Sequence, residues 1–470
     1  MAFSSVTFLF LFLPTVYLLY LIIPWPGGKN GLLLAASLLF YAWGEGAYVL
    51  LMLVSALANW GFGFMIGHWH RHRKGILVAA VIVNLGLLAF FKYFGMLLDM
   101  AGFLIGQSIP MAVPHLPIGI SFFTFQALSY VVDVSRNPES VQKNFINLLL
   151  FISLFPQLVA GPIVKYHDIA SQLGRRDVSI DKTAAGIRRF ILGLSKKLLV
   201  ADVMATVADD IFSNPSGYGI GAVAWIGAIA YMLQIYFDFS GYSDMAIGLG
   251  RMFGFTFQEN FRYPYGAKGI QDFWRKWHIS LSTWFRDYLY IPLGGNRRGK
   301  LRTCGNLMLV FFLTGLWHGA NYTFVVWGLY HGVLLTLERL GVLRIIKGKG
   351  SFLTHIYTVF AVMVGFVIFR ADSISQAWQY LGSMFDLGSF SEGASQALVY
   401  MNPYLLCTFC IAFMASAPIL PAVRRRFESL PEAGKGVVKG VSYVGSMLLF
   451  LCCVMAVASN AYSPFIYFRF

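Results

Sequence analysis

The segment "FFLTGLWHGANYTFVVWGLYHG", residues 311–332, sets His318 and His331 in an otherwise apolar run, with Trp317 before the first histidine and Asn321 after it. A second segment, "DFWRKWHISLSTWFRDYLYIPLGGN" at 272–296, carries Trp274, Arg275, Lys276, His278, Ser282, Arg286 and Asp287 among aromatic residues. A neutral imidazole, with a reference pKa near 6.5, can bind a substrate carbonyl or accept a proton from a hydroxyl. For His278 both uses stay open. On one ideal helix His318 and His331 would stand about 220° apart. They share no face there, do not read as a metal pair, and leave His331 with a structural role. No Gly-x-Ser-x-Gly elbow accompanies them, so a serine-hydrolase triad has no support.

What positions these rings is set by composition. The chain has 470 residues, 57% of them hydrophobic and 12% charged, with a mean hydropathy of +0.65. Apolar runs at 6–24, 47–67, 75–91, 220–237 and 437–458 are each long enough to cross a hydrocarbon layer roughly 30 Å thick. The fold class expected is therefore all-α and polytopic, a single transmembrane domain over 1–470 with no soluble domain, because backbone at membrane depth must satisfy itself. The first run lacks a basic leader and a cleavage pattern, and reads as a first membrane helix.

The net charge of +15 (36 basic, 21 acidic) does not point to nucleic acid. The basic residues cluster in short loops at 68–74, 174–182, 188–197, 296–302, 344–350 and 424–426, the pattern that marks the cytoplasmic side. Residues 371–397 hold Asp372, Asp386 and Glu392 but no lysine or arginine, and are expected outside. Helices over about 352–369 and 398–423 join these sides, and both termini then lie outside. Between the basic loops ending at 302 and starting at 344 the chain must enter the membrane and return. The turn falls at "TGLWHGAN", and a helix from 306 to 316 climbs roughly 16 Å, placing His318 part-way through the bilayer.

Other polar residues have plainer readings. Asp238 and Asp244 flank "SGYS", read as a turn that breaks a membrane helix, with the carboxylates capping a half-helix or paired in the interior. "PHLPIGISFFTFQALSYVVDV" at 114–134 brings His115, Gln126 and Asp133, with His115 interfacial. The stretch 165–197 is amphipathic, Ile187, Phe190, Ile191 and Leu194 alternating with Arg188, Arg189, Lys196 and Lys197 as in an interfacial helix. His68, His70 and His72 sit in a solvated basic loop without the carboxylates or thiols of a metal site. Of the five cysteines, Cys304, Cys407, Cys410, Cys452 and Cys453, the 407/410 pair mimics a CxxC but has no second pair, and packing is the expected role. No metal site is expected.

The stretch "QENFRYPYGAKGIQDFWRKWHISLSTWFRDYLYIPLGGNRRG" followed by "LTGLWHGANYTFVVWGLYHG" closely resembles the membrane-bound O-acyltransferase family, nearest its bacterial alginate O-acetyltransferase-like branch. "PIGISFFTFQALSYVVDVSR", "FPQLVAGPIV", "YFDFSGYSDMAIGLG", "FVIFRADSISQAW" and "SPFIYFRF" extend the likeness over nearly the whole chain. The resemblance implies a ring of tilted helices around a thin central tunnel or funnel. It implies His318 as the catalytic histidine and His278 as the second polar residue of the active site. Trp317, Asn321, Trp274, Arg275, Asp287 and Ser282 are the expected substrate-binding residues. It further implies a cytoplasmic acyl thioester donor, acetyl-CoA first, and no permanently bound cofactor. The acceptor side would be a polysaccharide or an extracytoplasmic esterase-like partner of the SGNH type, at a bacterial inner membrane. Two other readings remain: D-alanyl transfer from a carrier protein towards teichoic acid, and a lipid-linked sugar transporter. The absence of visible internal symmetry tells against the transporter.

Overall fold

The computed structural model describes all residues except 108, 160, 215–220, 342–350, 387, 430, 460–464 and 466–470. The basic loop at 344–350 and most of the closing "SPFIYFRF" lie outside the described residues.

Regular structure among the described residues is helical. In chain order the helices are α1 (Leu13–Ile22), α2 (Pro26–Glu45), α3 (Tyr48–His68), α4 (Arg73–Ile105), α5 (Ile120–Arg136), α6 (Phe145–Ser153), α7 (Tyr166–Gly174), α8 (Ile180–Ser195), α9 (Asp202–Ser213) and α10 (Gly221–Met252). They continue with α11 (Ile270–Trp274), α12 (Ile279–Phe285), α13 (Lys300–His318), α14 (Tyr322–Leu340), α15 (Ser351–Arg370), α16 (Ile374–Met384), α17 (Phe390–Ala397), α18 (Pro403–Ser416), α19 (Ile419–Glu428) and α20 (Glu432–Ala458). Among the described residues five stretches have the length and apolarity to cross a membrane: Tyr48–His68, His70–Ile105, Gly221–Met252, Phe352–Arg370 and Gly434–Ala458. A sixth is a pair bent by 83°, Gly393–Met401 with Pro403–Ser416. The spans differ in surroundings: α10 is 78% buried inside the protein over its most apolar stretch, whereas Gly434–Ala458 is 6% buried.

Two compact units divide the chain. The first comprises residues 1–190 and 243–258, the second residues 191–242 and 259–470. In the first, Phe8, Phe12, Phe40 and Phe155 build an aromatic core, with the Phe12 and Phe155 rings edge-to-face at 5.4 Å. Arg189 Nε donates to Asp244 Oδ1 at 2.8 Å. His167 lies between two carboxylates, 2.9 Å from Asp133 Oδ2 and 3.2 Å from Asp168 Oδ1.

In the second unit α13 and α14 form an antiparallel hairpin whose turn spans residues 319–321. Its helices approach at glycines: a Cβ at Gly315 would strike the Phe324 carbonyl oxygen and come within 3.3 Å of Gly328 Cα. Such small residues are what allow two backbones to meet where lipid offers no hydrophobic driving force. The chain reverses because Asn321 caps α14, its Oδ1 accepting the Thr323 N–H at 3.1 Å while its Nδ2 donates to the Asp372 carbonyl at 2.9 Å.

Three local expectations are corrected. "SGYS" is no turn: α10 runs unbroken through it, and Gly241 serves close approach, since a Cβ there would lie 2.7 Å from the Gly193 carbonyl oxygen. Of the two roles open to the carboxylates, pairing is the one observed. Lys197 is not on a solvated face but buried, 2.7 Å from Asp202 Oδ1 and 2.9 Å from Asp238 Oδ1. The stretch 398–423 is not one helix: Leu398–Met401 is a 3₁₀ turn before α18 and α19, broken ahead of Pro403 and again at Pro418, where proline removes a donor and restricts its predecessor.

Candidate active site

His318 ends α13 and is 6% exposed. Its ring meets three aromatic neighbours edge-on: Trp317 at 4.9 Å, Trp327 of α14 at 5.0 Å and Phe369 of α15 at 5.1 Å between centroids. The hairpin brings Trp327 back against His318, so this aromatic surround is a product of the turn. Trp317 presents its indole to the second histidine as well, with the His278 ring 5.9 Å away. His278 and His318 therefore flank one tryptophan.

His278 is fully buried and sits just ahead of α12 with φ +43°, one of two non-glycine residues at positive φ among those described. Such a backbone is uncommon for a side-chain-bearing residue, and strained positions cluster at functional sites. It is held by the loop at 259–262: the Asn260 carbonyl accepts the Ile279 N–H at 2.9 Å, and the Lys276 carbonyl accepts the Arg262 N–H at 3.0 Å. Phe239 of α10 covers the imidazole edge-on at 4.5 Å.

A cavity of about 670 Å³, largely apolar, reaches Ile279 and Thr314 but is not lined by His278, Trp317 or His318. Its wall includes Trp274, Arg275, Ser282, Arg286, Thr314 and Arg339. Thr314 lies one turn before His318 on α13. Trp274 belongs to both features, since it lines the cavity and packs against Trp327 at 5.7 Å and His331 at 5.2 Å. A short π-helical run, Arg286–Tyr290, contributes Arg286 and Tyr290 to the wall, and such bulges are frequent at functional sites.

The residue profile of the membrane-bound O-acyltransferase family matches residues 36–375. The chain belongs to the membrane-bound O-acyltransferase family. It is a multi-pass membrane acyltransferase. It is 39% identical, over the full length of both chains, to a protein of Azotobacter vinelandii named "Probable alginate O-acetylase AlgI". It shows the same identity and coverage to a protein of that name from Pseudomonas putida. It is 34% identical to the peptidoglycan O-acetyltransferase of Helicobacter pylori, over 86% of this chain and 84% of that one.

Within the acyltransferase, the residues singled out from the sequence fall into three settings. His278, Trp317 and His318 come together. Trp274, Arg275 and Ser282 line the cavity. Asn321 spends its side chain on the turn, and Asp287 lies 2.7 Å from Arg286 Nε. Sequence reasoning missed Asn260, whose side chain holds His278, and Trp327 and Phe369, which wall His318. It also treated His331 as if on one helix with His318, although the hairpin brings both histidines against Trp327, at 5.0 and 5.2 Å between ring centroids. The turn expected at "TGLWHGAN", residues 314–321, followed back along the returning helix, was the signal that could have found Trp327. No group of three or more histidine, cysteine, aspartate or glutamate residues able to hold a metal occurs among the described residues.

Proposed function

We propose that the acyltransferase moves an acetyl group from a cytoplasmic thioester, acetyl-CoA in the first instance, to an acceptor hydroxyl presented from the other side of the membrane. The acceptor is a polysaccharide of the alginate kind or an esterase-like protein that passes the group on. The carrying observation is His318, buried at the turn of an apolar hairpin with His278 across a shared tryptophan and a large cavity one helical turn away.

Chemistry explains the arrangement. A thioester is already activated, but an alcohol is a poor nucleophile until its proton leaves. His318 acts as general base: it takes the hydroxyl proton as the oxygen attacks the thioester carbonyl, the C–S bond breaks, and the proton passes to the departing sulfur, leaving a free thiol and an oxygen ester. A positioned base of this kind contributes about 10²–10⁴ in rate. The apolar wall of the cavity suits a pantetheine arm, and Arg275, Arg286 and Arg339 offer charge for the phosphates at its far end. The aromatic rings packed on His278 and His318 keep water from competing for the acyl group. The ring of tilted helices with a central passage, and the cytoplasmic placement of the basic loops, belong to this same reading.

The test is direct. Purified protein in lipid vesicles, given acetyl-labelled CoA and an alginate oligosaccharide, transfers label to the glycan or to an added esterase-like partner. Label transferred only from a D-alanyl carrier protein, or glycan moved across the vesicle with no donor present, overturns it.

A further inference from the structure

His278 has two nitrogens, and the structure decides what each can do. Asn260 Oδ1 accepts from the Ser280 backbone N–H at 3.1 Å and from Ser280 Oγ at 2.9 Å. A backbone N–H can only donate, so the Asn260 atom facing it must be the oxygen, and the amide orientation is fixed by its surroundings. That same oxygen stands 3.2 Å from His278 Nδ1. An amide oxygen donates nothing, so the hydrogen of this bond must sit on Nδ1. The Ser280 hydroxyl is 3.5 Å from Nδ1, at the outer limit of a hydrogen bond, and has its better acceptor in Asn260. A neutral imidazole carries one N–H. Nε2 is therefore a bare lone pair, and it is fully buried with no hydrogen-bond partner among the described residues. A buried polar atom left unsatisfied is costly, and its retention points to a ligand that satisfies it.

We infer that Asn260 is a positioning residue that holds His278 in the Nδ1–H tautomer, so that Nε2 accepts a hydrogen bond from the substrate hydroxyl. This rests on the acyl-transfer reading and resolves the two roles open to His278. It cannot donate to the thioester carbonyl, because its only N–H is spent on Asn260. It binds and aligns the acceptor alcohol, while the proton is removed at His318. The left-handed backbone of His278 serves the same end. With φ +43° and the Ile279 N–H tied to the Asn260 carbonyl at 2.9 Å, the ring is presented to Asn260 from a fixed direction. Phe239 then closes its other side. The substrate class at this atom is a hydroxyl donor: a sugar alcohol or a serine side chain, not a carboxylate, which would bring no hydrogen to a bare lone pair.

The experiment reads the tautomer and the kinetics separately. In protein carrying ring-¹⁵N histidine, with the His278 signals assigned by their loss in His278→Asn, wild type shows a protonated Nδ1 and an unprotonated Nε2. Asn260→Leu, of similar volume but without an acceptor, loses that preference. Its kcat falls about 10–100-fold, the range seen when a histidine loses the group that orients it, with KM for the thioester unchanged. Asn260→Asp keeps the acceptor oxygen and restores both signals and rate. An Nε2-protonated ring in wild type overturns the inference, as does a tautomer that ignores Asn260→Leu. Should that variant not fold, the wild-type spectrum and Asn260→Asp decide alone. Wild-type protein that transfers no acyl group refutes the acyl-transfer reading, whereas the spectrum judges the tautomer independently.

Discussion

Two kinds of ionisable group sit in apolar surroundings in this protein, and they are treated in opposite ways. Lys197, Asp202 and Asp238 form a closed knot in which the lysine lies within 2.9 Å of both carboxylates, and Arg189 binds Asp244 likewise. His278 and His318 are instead packed edge-on against tryptophan and phenylalanine, and the Nε2 of His278 faces no protein partner among the described residues. Charge buried with its counter-charge is architecture, because removing one member leaves an uncompensated ion. On the acyl-transfer reading proposed above, His278 and His318 are the reagents. Distance from water does not separate the two groups. What separates them is whether the neighbour is an opposite charge or an aromatic face.

The contrast can be broken from either side. The largest effect on stability is expected from Lys197→Met, which strands two buried carboxylates and costs about 3–5 kcal/mol. Thermal unfolding in detergent would show it, while acyl transfer per folded molecule changes little. Replacing all three residues of the knot with apolar ones of similar size restores most of the loss. If Lys197→Met unfolds normally but abolishes transfer, the knot belongs to the chemistry and the contrast fails. A smaller effect attends Gly315→Ala, where the new methyl meets the Phe324 carbonyl of the facing helix. Overpacking of this sort costs about 1–3 kcal/mol, and because it splays the hairpin that carries His318 it should lower the transfer rate along with the unfolding temperature.

The smallest effect sharpens the comparison with a histidine of the paired kind. Hydrogen bonds to Asp133 and then Asp168 raise the His167 pKa from its ordinary value to about 9. A raised folded-state value stabilises the fold fully below the unfolded pKa near 6.5 and loses that contribution as pH climbs through about 9. His167 is half exposed, so solvent screens the pairs and the effect is modest. The unfolding temperature of wild type should therefore decline between pH 7 and 10 slightly more steeply than that of His167→Asn. Identical slopes would show that His167 is not held by its carboxylates.

Much of this was legible in the sequence because it is local. Hydropathy and length marked most of the spans, and the basic loops at 302 and 344 forced a reversal that Gly319 and Asn321 supply. His318 stood out because an ionisable ring is costly to keep in so apolar a run. The rest depends on residues remote in sequence. Nothing local distinguishes Lys197 from Lys196, yet one is buried in a knot with Asp238. Asn260 looked like any loop asparagine, and its value appears only when residues 259–262 fold against 276–280. Gly241 imitated a turn because a glycine needed for close helix contact and a glycine needed for a bend are the same letter.

The central claim is that His318 removes the acceptor's proton. Initial rates of labelled acetyl transfer, measured for wild type, His318→Ala and His318→Gln in vesicles with matched protein content and matched unfolding temperatures, test it most directly. The account predicts a loss of about 10²–10⁴ in both variants, since glutamine fills the space and hydrogen-bonds but takes no proton. Transfer at the wild-type rate in either one, with the fold intact, would contradict it.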